Sequence, residues 1–477
     1  MRMRQLIIFM ALLPAILVAG VITTHRLGGA AAQKSGLAGN GITDIAADNG
    51  HLWLGTGNGL SRLDLATNEF TSYAQAAGLG HGSVAALWVH GDTLIVATAT
   101  DTVTKVDPAA LPKGTGISFS FDGGTTWRHV AQPGATPIQN LTYDIAVVAN
   151  TVWIVCYGGG VLKSEDWGQS WSEAPPDTFN FDPYGRYNHR GFSATAGGGT
   201  LWIGTAEGIN KSTDNGATWT NFNHVSQPEP ISGNFVVGLG LQQTGGREII
   251  WGATWTAEGE GEYNAVSFSQ DGGLTWSTVL RDEKAHNFAF DDSVVYVATD
   301  NGLYVSFDLG ERWYLYPVMR DAQDGDRVLS TEAYSAFARD GVLWAGMADG
   351  LARTADNGFT WDIQRAFVRT GQGGEARTYA YPNPFSPMRQ NLLGGDGYIR
   401  FQYNTRAATR VTVKVFDFAM DLVATVVQDA YRIGPADCAE LWNGRNDYGD
   451  LVANGAYFYS VAIEGDGTYW GKVLVVN

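Results

Sequence analysis

Ser120-Phe-Asp122-Gly-Gly124-Thr-Thr-Trp127 is one of six copies of the pattern Ser/Thr-x-Asp-x-Gly-x-x-Trp. The others run from Ser164 to Trp171, Ser212 to Trp219, Ser269 to Trp276, Ser306 to Trp313 and Thr354 to Trp361. The steps from tryptophan to tryptophan are 44, 48, 57, 37 and 48 residues, a period that marks an array of blades. Each fixed position has a physical task. The aspartates (Asp122, Asp166, Asp214, Asp271, Asp308 and Asp356) accept backbone N–H groups of their own tight turn, and the glycine takes φ > 0 without a Cβ clash. The tryptophans (Trp127, Trp171, Trp219, Trp276, Trp313 and Trp361) open the next strand and bury a ring between neighbouring sheets, where the indole N–H needs a partner.

A second repeat runs independently of the first. Short strands with a Trp or β-branched centre recur at His51–Thr56, Thr93–Thr98, Thr151–Val155, Thr200–Thr205, Ile249–Ala253, Val294–Thr299 and Val342–Gly346, seven copies in all. An apolar stretch precedes each copy, and two strands follow it around the aspartate turn. Four strands per unit and seven units predict an all-β chain with a seven-bladed β-propeller over 33–372. The first unit lacks the repeated turn, and Asp64 to Phe70 fills its place. All units are whole blades, so the closure of the ring is left open; residues 33–41 or 364–372 are available to lend a strand.

Strand alternation separates the two faces. The turns between first and second strands are short, as at Asp48 to His51 and Asp291 to Ser293, and they share a face with the aspartate turns. Extra length falls on the other face: Thr100 to Gly116, Thr254 to Asn264, Pro175 to His189 and Arg320 to Thr331. Loops on a rigid scaffold carry binding function. Ligand-binding candidates on that face are Tyr184, Arg186, Tyr187, His189 and Arg190, a mix of aromatic rings and donors that also suits a loop packed onto its own blade. Trp255, Glu260 and Tyr263 are further candidates. Glu258, Glu260 and Glu262 offer paired carboxylates for glycoside chemistry, although alternation with glycine favours a flexible acidic tip. Asp321 to Asp326 lacks calcium-loop spacing and reads as a solvated turn.

Composition narrows the function classes. Lys and Arg total 31 against 48 Asp and Glu, a net charge of −17 that disfavours nucleic acid and anionic membranes. Two cysteines, Cys156 and Cys438, give no disulfide framework or metal cage, so no metal and no cofactor are expected. Arg2 and Arg4, an apolar run from Leu6 to Ile22, and Ala30-Ala31-Ala32 order themselves as a signal peptide over 1–32, which places the protein on the outer surface or beyond it. No membrane span follows.

The six turns resemble the Asp-box of sialidase, sortilin and photosystem-assembly propellers, and Gly36 to Tyr73 resembles the sensor propellers of two-component regulators. The Asp-box implies fold rather than chemistry. Sialidase catalysis needs an arginine in an Arg-Ile-Pro motif that no propeller segment contains, and xyloglucanases place their acids between two propellers. No Gly-x-Ser-x-Gly or His-Glu-x-x-His motif occurs, so no catalytic residue is assigned and no enzyme activity is expected. Beyond Gly374 the rhythm ends and strand-like runs predict a small antiparallel sandwich over 373–477. Tyr381-Pro-Asn-Pro-Phe385, Val413 to Asp417, Trp442 to Gly449 and Asn454 to Tyr459 resemble the FlgD-type Ig-like module, which is close to the C-terminal sorting domains of type IX secretion substrates. Two features depart from that module: an insertion at Met388 to Gly397, and the turn Asp417 to Asp421, which has no glycine. The resemblance implies contact with secretion machinery, or a stalk or docking role. The expected function is a secreted or surface-displayed binding propeller for an extracellular glycan or protein. A polysaccharide hydrolase or lyase and a structural subunit of an extracellular assembly are the alternatives.

Overall fold

The computed structural model describes residues 36–48, 50–73, 78–103, 110–134, 139–257, 259–322, 326–367, 370 and 376–477. The expected signal peptide lies outside them. Gly36–Val328 and Glu332–Arg365 form one compact unit, and Ala366–Asn477 belongs to a second.

In the first unit, Ile42–Ala47, His51–Thr56, Gly59–Asp64 and Phe70–Tyr73 pair in sequence order as an antiparallel sheet. Six more such meanders begin at Ser83, Thr142, Gly191, Phe235, Ala285 and Ala333, giving seven four-stranded sheets among the described residues. The first strand of each sheet packs beside the first strand of the next, and the seventh beside the first, so these strands ring a central axis. This is a seven-bladed β-propeller. Each second strand lies between two neighbouring blades and is covered on both faces. That is why His51–Thr56 and Val294–Thr299 read as apolar runs rather than alternating strands, buried at every position but the first.

All seven pairs of first and second strands share one irregularity. The register slips by a residue near the start of the first strand, a β-bulge that leaves Thr43, Ala85, Tyr143, Phe192, Val237, His286 and Tyr334 unpaired. The slip interrupts the ladder beside the axis, and side chains of the preceding blade take up backbone groups there. Thr43 and Ser193 donate to the carbonyls of Val84 and Val236 (both 2.8 Å). Asp44 accepts the N–H of Leu87 (2.9 Å), and Asp144 that of Ala194 (2.8 Å).

The same device closes the ring. Ser335 Oγ of the last blade donates to Ile42 O at 3.1 Å, Arg339 Nη1 donates to Asp48 O at 2.8 Å, and Gly350 N–H donates to Asn40 O at 2.8 Å. Among the described residues no strand is lent from one end of the unit to the other. Blade two holds a further departure from expectation. Its long connection is not a loop: Thr93–Val103 and Ala110–Ser120 continue to pair out to Val103 and Ala110, a hairpin extension.

The second unit stacks a sheet of Thr378–Tyr381, Ile399–Thr405 and Ala436–Trp442 against one ordered Leu422–Arg432, Thr409–Phe416, Gly455–Ile463, Gly467–Val475. Phe385, Phe401, Val413, Trp442, Tyr459 and Val473 fill the space between them. Strand Thr378–Tyr381 escaped the sequence reading. The Pro-rich entry segment covers the edge of the last strand: Asn383 donates to Lys472 O (2.9 Å) and accepts Leu474 N–H (3.0 Å). An open edge of paired-ready backbone is thereby blunted.

Candidate functional site

The repeated turn has one geometry in all six copies. In the first, Ser120 Oγ donates to Asp122 Oδ1 (2.9 Å) and accepts Gly124 N–H (2.9 Å), while Thr126 gives its N–H to Oδ1 (2.8 Å) and its hydroxyl to Oδ2 (2.6 Å). Ser170, Thr218, Thr275 and Thr360 repeat the part of Thr126, and Arg312 substitutes its Nε. Donors on the residue four positions on hold Asp166, Asp214, Asp271 and Asp308 down at about 2. These carboxylates are saturated inside their own turns. A Cβ on the turn glycine would lie 2.3–2.8 Å from a ring of the preceding blade: Trp53, Phe119, Trp153, Phe222, Trp251 or Tyr316. Each turn is a seat for its neighbour's aromatic ring. The indoles of Trp127 and Trp313 donate to the turn glycine carbonyl at 3.1 and 3.0 Å, whereas those of Trp171 and Trp276 are buried without the expected partner.

On the opposite face the crossover from the third blade to the fourth is built from within. His189 is fully buried; its Nδ1 accepts the Asp182 N–H (2.8 Å), so Nε2 carries the proton and donates it to Asp177 (3.0 Å). Arg190, 5% exposed, donates to the carbonyls of Pro183 and Tyr184 and to the Tyr157 hydroxyl (3.1 Å). Both were ligand candidates, and both are spent on holding the loop. On the same loop Tyr184 and Tyr187 are 51% and 46% exposed, and the half-buried Arg186 has its guanidinium 3.6 Å from the centroid of the Phe179 ring.

Behind this loop the bulge residues assemble an aromatic arc that the sequence reading missed. Phe192 meets Tyr143 (5.7 Å between centroids), Tyr157 (5.8 Å) and Phe235 (5.8 Å). Phe235 pairs in register with Trp255, whose ring meets His286 (5.5 Å), and His286 meets Tyr334 (6.2 Å). The arc crosses the inner ends of blades three to seven, on the face that bears the long loops. Asp44 and Asp144 each follow a bulge residue, Thr43 and Tyr143, and burial lifts them to about 6 and about 7.

The blade-five loop completes the rim. Trp255 is buried, its indole donating to Ala285 O (2.9 Å) beneath the Lys284 ammonium, 5.2 Å from the ring. Tyr263 lies under the Arg281 guanidinium at 3.6 Å. Glu262 is taken up by Asn234 and the N–H of Ala257, Glu260 is exposed, and Glu258 lies outside the described residues. Of the two described glutamates, Glu262 is thus engaged by an amide and a backbone N–H rather than by a second carboxylate. In the other long crossover Asp321 accepts Ile363 N–H (2.9 Å) and Asp326 pairs with Arg365, which ties both acids into the blade.

No family model matches the chain, and no curated protein matches it either. Among solved structures it is similar to the GH74 enzyme of Niastella koreensis, at 15% identity and a TM-score of 0.52, over 93% of this chain and 74% of that one. It is also similar to an extracellular domain from B. thetaiotaomicron, at 14% identity and a TM-score of 0.44, over 92% of this chain and 57% of that one. A third match is PorZ, a surface component of the type-IX secretion system of Porphyromonas gingivalis, at 16% identity and a TM-score of 0.31, over 91% of this chain and 65% of that one. The chain thus spans less than two thirds of the last two. At these identities the likeness shows the fold alone.

Proposed function

We propose that the chain is an extracellular binding propeller. It holds a glycan or protein ligand on the face opposite its repeated turns and is exported or tethered through residues 373–477. The aromatic arc carries this reading: the bulges sit at one height, and the rings come from blades three to seven, which also bear the crossovers Pro175 to His189 and Arg320 to Thr331 and the loop Thr254 to Asn264. Exposed tyrosines on a loop anchored by buried His189 and Arg190 supply a firm outer rim. Two features of the tail favour an Ig-like sandwich of the FlgD type: buried Trp442, and a Tyr457 hydroxyl that donates back to Ala453 O at 2.9 Å. The repeated turns, with every aspartate saturated, serve as Asp-box fasteners.

The test is binding of the full chain to a glycan array and to surface proteins, compared with Tyr187→Ala/Tyr263→Ala. Loss of the captured ligand in the variant supports the reading. Undiminished capture by a variant with an unchanged melting temperature sinks it.

A further inference from the structure

The chain is strongly acidic, yet several carboxylates on the face of the long loops are occupied by internal partners, with Glu260 exposed beside them. Asp177 and Asp300 bond histidines, Glu207 and Glu262 accept backbone N–H groups, and Glu283 accepts Asn301 and Tyr304. Two of the cations on that face stand apart. The Arg186 guanidinium rests on the Phe179 ring and the Lys284 ammonium on Trp255, and neither side chain has a hydrogen-bond or ion-pair partner among the described residues. A cation over a ring is held in place while its N–H groups still point away for use. Beside Arg186 stand the exposed rings of Tyr184 and Tyr187.

We propose that this face takes an acidic polysaccharide, its sugar rings lying on Tyr184 and Tyr187 and its carboxylates held by Arg186 and Lys284. The proposal rests on the reading that this face binds a ligand, and it names the ligand's class. A pyranose ring offers a flat C–H face to a tyrosine, and a uronate carboxylate matches the planar guanidinium with two parallel hydrogen bonds. An acidic peptide fits less well. Peptides gain affinity by pairing with a sheet edge, and the blades meet this face with their strand ends rather than their edges.

Affinity electrophoresis of the full chain distinguishes the possibilities, with polygalacturonate, dextran or poly-glutamate cast in the gel. Polygalacturonate is expected to retard the protein, dextran is not, and the retardation should weaken as salt shortens the reach of the charges. Arg186→Gln/Lys284→Gln should lower the affinity by about tenfold or more. Tyr187→Ala should weaken binding while leaving the salt dependence in place. Lys163→Gln, on the face of the repeated turns, should change nothing, and the melting temperature of each variant confirms that it is folded. Equal retardation by dextran, equal retardation by poly-glutamate, no retardation in any gel, or a double variant that binds as tightly as the parent would each overturn the proposal. Capture of a neutral glycan or a protein that depends on Tyr187 and Tyr263 would still leave the binding role of the face standing.

Discussion

Gly216 and Gly199 share a φ of 83° but differ in their surroundings. A Cβ on Gly216 would meet the Trp153 ring at 2.3 Å, whereas one on Gly199 would meet nothing within 4 Å. Gly199→Ala should therefore cost only the left-handed backbone term, about 1 kcal/mol, and Gly216→Ala roughly 3 kcal/mol or more because a neighbouring blade must give way. Urea midpoints for the two variants isolate the packing role of the repeated turn. A similar argument in reverse applies to Met420, which holds φ at 69° in an exposed turn closed by the Asp417 carboxylate. There Met420→Gly should stabilise the second unit by about 0.5–1 kcal/mol, visible as a higher melting temperature.

The loop from Asp177 to Arg190 behaves as an element in its own right, because its centre is polar and its partners are internal. Arg190→Lys keeps the charge but cannot reach Pro183 O, Tyr184 O and the Tyr157 hydroxyl together. The variant should lose about 1–3 kcal/mol of local order, read as faster amide exchange at Gly185 and Arg186 with little change in the global melting temperature. Legibility in the sequence follows the same division between local and distant bonds. The repeated turns were readable because every bond within one closes between residues two to four apart. The hydroxyl of Thr126 and its equivalents was equally readable in the pattern and went unused. The arc was hidden because a bulge is a matter of register between two strands, and Tyr143, Phe192, His286 and Tyr334 occupy the same slot only after that register is known. Lining up five of the seven first strands by their following Asp, Ser or Asn (Asp44, Asp144, Ser193, Asn287, Ser335) was the available clue. The blade-two extension was misread as a loop because its Gly and Pro residues outweigh its pairing, and the sequence left two readings open for His189 and Arg190 because burial of a polar side chain depends on contacts the sequence does not order.

For the molecule as a whole, two sets of carboxylates set opposite limbs of a pH profile. Burial raises Asp44 and Asp144 to about 6 and about 7 in the folded state, so their protonated forms favour folding and that contribution drains away as pH rises through those values. The turn aspartates are lowered, so their contribution is full above the ordinary carboxylate range and is lost as pH falls towards 2. The propeller should be less stable at pH 8 than at pH 5 by roughly 2–4 kcal/mol, and Asp44→Asn/Asp144→Asn should flatten that limb. Urea midpoints that rise from pH 5 to pH 8 would refute the assignment. The closure described above has a further consequence. Blade one and blade seven meet through the same kind of contact as any adjacent pair, and among the described residues no strand is common to both ends. The ring consequently has no privileged starting point. It can be cut at another crossover and rejoined as a circular permutant, and a lineage of such rings can gain or lose a blade by duplicating one whole unit without rebuilding a seam.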